Sequence, residues 1–323
     1  MLKIINKKIA FQWILLLGLL GFSVYIIITQ AQIANVQGAV FLYKNFAQLF
    51  SQYEFFGKGI IIAVLLLQIL LLQYYFNKNE FVAKYSLLPA CFYLFMLLLT
   101  KSLATISPLF FTSLFFLITI SINYVTSSAK LKSNVFLVGM LIALGVCFDL
   151  SSLILLVLVA ITLLVNQFFK IKEIGILLFG VMLLSLYFFS YYFFANSYCD
   201  WILTFQQIKI LSILDREVLT HPLVLISLIG LGILYLYFII RSRLISEAKV
   251  VVQRKRVVTL NLCAVLMLAC LFISNSPYPY VLGYLFAPIS IYLSIFAQER
   301  NPFFINEAIT ILTLILLSLF LWF

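Results

Sequence analysis

The chain has 323 residues, of which 65% are hydrophobic and only 10% are charged, and its mean hydropathy is +1.19. About a quarter of the residues in soluble globular proteins are charged, so this composition excludes a water-soluble fold. The formal net charge of +11 comes from 21 basic and 10 acidic residues.

The apolar residues fall in stretches separated by short charged loops. Because about 20 apolar residues cross a bilayer, the pattern predicts an all-α bundle of about eleven transmembrane spans. It predicts a single transmembrane domain over residues 1–323. The predicted spans are 9–29, 60–76, 86–103, 108–125, 134–148, 150–169, 174–194, 223–240, 257–274, 281–296 and 303–322. The sequence leaves open whether the tight hairpin 134–169 fully crosses.

The first span follows Lys3, Lys7 and Lys8 and therefore resembles a signal peptide. Its apolar run is too long for one, and no small-residue cleavage site follows Thr29. We expect this span to be retained in the mature protein.

The basic residues predict the orientation. With the N-terminus in the cytoplasm, 16 of the 21 Lys and Arg residues lie in cytoplasmic loops and the other five lie outside. Basic loops stay in the cytoplasm, so the sequence predicts a cytoplasmic N-terminus and a periplasmic C-terminus in the bacterial inner membrane.

The densest basic cluster lies in the predicted loop between the eighth and ninth spans. It serves as a topology signal or as a contact for anionic lipid head groups on the cytoplasmic side. It lacks the interleaved aromatic residues that stack on bases, so we expect no nucleic-acid partner. The predicted lipid-contact residues are Arg241, Arg243, Lys249, Arg254, Lys255 and Arg256.

Two outer segments carry apolar residues at helical spacing, which predicts periplasmic interfacial helices. The apolar positions are Leu42, Phe46, Leu49, Phe50, Tyr53 and Phe56 in the first, and Trp201, Phe205, Ile208 and Leu211 in the second. Such helices either seal a bundle against the head groups or frame a lateral opening for a lipid-linked molecule.

No motif in the chain indicates a reaction, and ionisable residues are nearly absent from the spans. The weak catalytic candidates are Glu54, Asp149, Asp200 and His221. We expect Asp149 to be a turn residue in outer water; the alternative is a buried acid that binds a cation or a proton. One histidine and five dispersed cysteines predict no metal site, and we expect no cofactor.

Four polar or proline positions inside the spans have structural interpretations. Gln68, Gln73 and Asn261 are expected to hydrogen-bond between helices. Pro288 is expected to kink the tenth span.

The hairpin 136–169, the junction 166–175 and the tail segments 287–294 and 306–308 resemble an uncharacterised family of bacterial polytopic inner-membrane proteins. The resemblance implies a membrane fold and no activity. The overall plan is also similar to that of the C-type glycosyltransferases, which use polyprenyl-linked sugars. Those enzymes carry a catalytic acid in the first outer loop, whereas residues 30–37 contain none and the first acid is Glu54.

The sequence therefore favours a membrane protein without bond chemistry of its own, acting as an accessory, scaffold or lipid-handling component of the cell envelope, with other envelope proteins as possible partners. The rival hypotheses are a glycosyltransferase-like enzyme, whose acids converge on an outer cavity, and a transporter with a polar site at the midplane.

Overall fold

A computed structural model describes residues 9–34, 40–81, 85–124, 131–165, 171–194, 222–247, 251–273, 283–298 and 303–319. In these ranges the chain is helical apart from two short strands. The helices are α1 Ile9–Gln30, α2 Phe41–Gln52, α3 Glu54–Lys78, α4 Leu88–Leu99, α5 Pro108–Tyr124, α6 Leu131–Phe148, α7 Ile154–Val165, α8 Ile171–Phe194, α9 Pro222–Glu247, α10 Val251–Ile273, α11 Gly283–Gln298 and α12 Phe303–Leu319. A 3₁₀ turn, Leu150–Leu153, precedes α7.

Four helices in the described ranges, α1, α3, α6 and α8, are long and apolar enough to cross a membrane. The all-helical fold class is therefore confirmed. Each remaining predicted span also overlaps a helix, but several of these are shorter than expected. The count of about eleven spans and the orientation stay predictions.

Helix α4, in the predicted span 86–103, has only 12 residues. At 1.5 Å per residue such a helix covers about 18 Å, against about 30 Å of hydrocarbon. The predicted span 86–103 is thus only partly α-helical, and the predicted span 150–169 does not begin as an α-helix. In the second, the first residues after Asp149 form the 3₁₀ turn instead.

Local backbone chemistry ends α4 although the apolar run continues to Leu103. Lys101 has a left-handed φ of 51°, its N–H donates to Leu98 O at 3.2 Å, and the N–H of Ser102 donates to Leu97 O at 3.2 Å. This pair of bonds is the Schellman arrangement that closes helix C-termini. Non-helical chain therefore begins several residues earlier than hydropathy predicts.

Helix α11 lies at the centre of the bundle. Every residue from 285 to 297 is buried, and the helix packs against α4, α5, α9, α10 and α12. It runs continuously through Pro288, and the hydroxyl of Ser290 donates to Ala287 O at 2.7 Å. The proline is thus accommodated within one helix.

The two ends of the bundle are recognisable from their contacts. At one end, here called the α2 end, strand β1 (Gln32–Ile33) after α1 pairs in parallel with β2 (Thr105–Ile106) before α5. At the other, here called the Arg256 end, α3 finishes and Arg256 of α10 donates from Nη1 to Asn79 O at 2.8 Å. Helix α2 lies across the first of these ends.

Helices α6 and α8 approach each other closely, and two glycines allow this approach. A Cβ at Gly139 would lie 2.4 Å from Leu177 O, and one at Gly180 would lie 2.6 Å from Phe136 O. In lipid no hydrophobic force drives helices together, and small residues let two helix backbones approach closely enough to pack. Most of the other side chains of α8 are exposed or half-buried.

We predict that Gly139→Leu separates α6 from α8. The added side chain meets backbone, which cannot move aside, so we expect a loss of about 1–3 kcal/mol or more in the free energy of unfolding. Thermal unfolding in detergent measures this. Gly175→Leu in α8 is the control, because a Cβ there meets nothing within 4 Å. Equal melting temperatures for the two variants would contradict the close approach.

Candidate functional site

The predicted first interfacial helix is present as α2, but its apolar side faces protein. The Phe46 ring lies 4.7 Å from that of Phe111 in α5, and a Cβ at Gly57 of α3 would strike the Phe50 ring. Lys44, Asn45 and Gln48 are exposed on the opposite side of α2. Helix α2 is therefore a cap on the bundle end.

Two positions of the predicted apolar face do not belong to it. Helix α2 ends at Gln52, and Tyr53 has φ −133° and ψ 69°, which breaks the helix direction before α3 begins. The Tyr53 and Phe56 side chains are consequently exposed, at 65% and 60%. The prediction that both belong to the apolar side of the first interfacial helix is therefore wrong.

Tyr43, which the sequence analysis missed, fastens α2 to the strands. Its hydroxyl lies 2.8 Å from Ala34 O and 2.7 Å from Ile106 O. Ala34 follows β1 and Ile106 ends β2, so one side chain holds both strands. The spacing of apolar and polar residues alone does not distinguish a tyrosine that bonds to buried carbonyls from one that lies at the membrane interface.

Asp149 is buried, with 8% of its surface exposed, so the expectation of a solvated turn residue is wrong. The preceding Phe148 ring stacks 5.0 Å from Phe111, which also contacts Phe46 of α2. The Ser151 hydroxyl donates to Asp149 Oδ2. Burial raises the pKa of Asp149 from 3.8 to about 6, and the Ser151 hydrogen bond opposes part of this rise.

The other catalytic candidates do not join Asp149. Glu54 is exposed and pairs with Lys58 at 2.5 Å, while Lys58 also donates to Ile28 O at 2.7 Å. Glu54 thus lies at the α1–α3 junction. Asp200 and His221 lie outside the described residues, as does Lys249 of the basic cluster.

Gln68 forms the first of two polar clusters in the interior. Its Nε2 donates to Phe110 O at 2.6 Å and to Ser113 Oγ at 2.9 Å, and its Oε1 accepts from the Tyr93 hydroxyl at 3.0 Å. One side chain of α3 thereby binds α4 and α5, as the sequence predicts. Gln73 likewise donates from Nε2 to Ser86 O.

Asn261 of α10 forms the second cluster. Its Oδ1 accepts from Ser242 of α9 at 2.9 Å and from Tyr292 of α11 at 2.7 Å. The predicted interhelical role of Asn261 is confirmed. Both clusters connect three helices.

A small, partly open cavity adjoins the Gln68 cluster between α4, α5 and the first residue of α11. Its volume is about 10 Å³, which is room for about one water molecule. The lining residues are Tyr93, Leu97, Ser102, Ser107, Leu109, Phe110, Ser113 and Gly283. Half of them carry a hydroxyl group.

The basic cluster lies at the Arg256 end, as far as it is described. Arg243 and Arg254 are exposed, whereas Arg241, Lys255 and Arg256 are half-buried. Arg256 donates to the carbonyl of Asn79, just after the C-terminal end of α3. The negative end of the helix dipole also stabilises a cation at this position. The sequence analysis did not foresee this structural contact; lipid contact stays a prediction.

Glu173, which the sequence analysis did not single out, is buried at the start of α8. It is 5% exposed, and its Oε2 has no hydrogen-bond partner among the described residues. Its position in the first turn suits the positive end of the helix dipole. The signal in the sequence was an acid at the edge of an apolar run.

Groups of three or more His, Cys, Asp or Glu able to hold a metal are not found in the described ranges. Cys91 and Cys263 are buried there as free thiols, and Cys147 is half-buried.

No protein-family model, curated protein or solved structure matches this chain. The comparisons therefore support neither the resemblance to an uncharacterised membrane family nor the similarity to C-type glycosyltransferases.

We predict that Asp149→Asn removes a pH dependence of stability. The folded protein keeps a proton on Asp149 that the unfolded chain releases, so stability is highest below about pH 4 and falls as the pH rises through about 6. The difference between pKa values of 3.8 and about 6 corresponds to about 3 kcal/mol. Melting temperatures in detergent between pH 4 and 7 measure it.

In that experiment the wild type loses stability towards neutral pH and Asp149→Asn loses less. Glu54→Gln is the control, because Glu54 is exposed and its replacement leaves the fall in place. Identical profiles for the wild type and Asp149→Asn would show that the carboxyl is not buried.

Proposed function

We propose that this chain is a multi-pass protein of the bacterial inner membrane with about eleven spans, acting as a non-catalytic accessory, scaffold or lipid-handling component of the envelope. Its N-terminus lies in the cytoplasm and its C-terminus in the periplasm. The observation that carries the proposal is the use of the interior polar groups. The side chains of Gln68 and Asn261 each form hydrogen bonds that connect three helices.

The arrangement of the acids supports a structural role for the α2 end. A glycosyltransferase-like enzyme needs its catalytic acid open to a lipid-linked donor. Here Asp149 is buried, and the exposed Glu54 is paired with Lys58. Helix α2 packs its apolar side on the bundle, which favours sealing over a lateral opening.

The surface supports a lipid environment. Helix α8 exposes a series of large apolar side chains along its length, which water-soluble surfaces rarely show as a continuous patch. These are Leu178, Phe179, Met182, Leu183, Leu186, Tyr187, Tyr191, Phe193 and Phe194. The exposed Arg243 and Arg254 at the Arg256 end fit contact with anionic head groups.

We expect cysteine labelling to confirm the orientation. A membrane-impermeant maleimide should label Gln48→Cys on α2 in intact cells, because Gln48 is exposed at the α2 end. It should label Ser246→Cys, in the predicted cytoplasmic loop, only after lysis. The reverse pattern would overturn the proposed orientation.

Affinity purification in mild detergent, followed by mass spectrometry of bound lipids and proteins, tests the role. We expect anionic phospholipid and stoichiometric envelope proteins. Arg243→Glu with Arg254→Glu should lower the retained anionic lipid, whereas Lys44→Glu at the opposite end should not. A stoichiometric polyprenyl-linked sugar would instead establish the glycosyltransferase-like alternative.

A further inference from the structure

We propose that the cavity between α4, α5 and α11 is a binding site for a single neutral hydroxyl group, supplied by a water molecule or by a hydroxylated lipid head group. The site goes beyond the proposed function and does not depend on it. It rests on the lining, the size and the backbone around the cavity.

The lining is polar on several sides. Hydroxyl groups come from Tyr93 on α4, from Ser102 and Ser107 in the segment between α4 and α5, and from Ser113 on α5. Empty cavities in proteins are apolar, whereas polar ones of sufficient size hold water. About 10 Å³ suffices for one water-sized group.

Ser107 contributes a hydroxyl group to the lining. It is 5% exposed and lines the cavity, and its backbone carbonyl accepts from the N–H of Phe110 at 3.1 Å. A serine hydroxyl has one donor and two acceptor sites, so a hydroxylated ligand in the cavity can bond to it.

The other hydroxyls are already oriented by their neighbours. Ser113 donates to Phe110 O at 2.7 Å and accepts from Gln68, and Tyr93 donates to Gln68. Each oxygen keeps a lone pair that can accept from the ligand. The Gln68 cluster therefore presents acceptors, while the hydroxyl of Ser107 can act as a donor or an acceptor.

The backbone supplies the remaining wall. The early end of α4 places non-helical chain at Ser102, and such chain is tolerated within a membrane only where protein buries it or where it lines a wet cavity. Gly283 of α11 also lines the cavity. A Cβ at Gly283 meets nothing within 4 Å.

The test is the reactivity of Ser107→Cys towards a small charged methanethiosulfonate, located by mass spectrometry so that the native cysteines stay in place. We expect it to react at least about tenfold faster than Ser121→Cys, since a thiol in apolar surroundings stays unionised and inert. Ser121 is the matched control because it is a buried serine of α5, the helix that Ser107 directly precedes, and does not line the cavity.

Gly283→Leu should slow the Ser107→Cys reaction several-fold by placing a side chain in the open space at the cavity. Gly232→Leu, where a Cβ also meets nothing within 4 Å, should leave the rate unchanged. Melting temperatures near that of the wild type confirm that both variants fold.

The source of the hydroxyl follows from two lipid conditions. Equal rates in nanodiscs of phosphatidylethanolamine and of phosphatidylglycerol identify water, while a slower rate with phosphatidylglycerol identifies its glycerol head group. A Ser107→Cys rate as slow as that of Ser121→Cys, or one unaffected by Gly283→Leu, overturns the site. Neither result bears on the envelope role, which the purification tests separately.

Discussion

Polar groups inside an apolar bundle must find partners within the protein, because hydrocarbon offers none. The interior of this chain obeys that constraint in two clusters. Gln68 satisfies its amide on Tyr93, Ser113 and the carbonyl of Phe110. Asn261 does the same with Ser242 and Tyr292. The hydrogen bonds that remove unpaired amides also fix which helices are neighbours.

The same constraint acts on the backbone wherever a helix stops. The last turn of α4 closes on itself through Lys101 and Ser102, and the carbonyls of Ala34 and Ile106 share the hydroxyl of Tyr43. At the opposite end, Arg256 caps the carbonyl of Asn79. Interrupted helices gather at the α2 end, so the small cavity and the buried Asp149 also lie there.

Packing between helices follows a second rule. Because no hydrophobic force drives helices together in lipid, the packing of two helices depends on how closely their backbones approach. Gly139 and Gly180 bring α6 and α8 together, and the remaining faces of α8 are left to the surroundings. The central helix α11 is the opposite case, because neighbours on all sides bury it from residue 285 to 297.

The sequence by itself determined the helical class, the existence of α2 and the bonding roles of Gln68 and Asn261, because hydropathy and isolated amides in apolar runs act locally. It did not determine how far each helix extends, since the end of α4 depends on the backbone angle at Lys101. The sequence analysis also predicted that Asp149 lies in water, and it did not identify the bonds that Tyr43 makes to the two strands. Only the tertiary structure decided those two, because the burial of a turn and the partners of a tyrosine hydroxyl depend on elements that are distant in the chain, as the bond between Tyr43 and Ile106 shows.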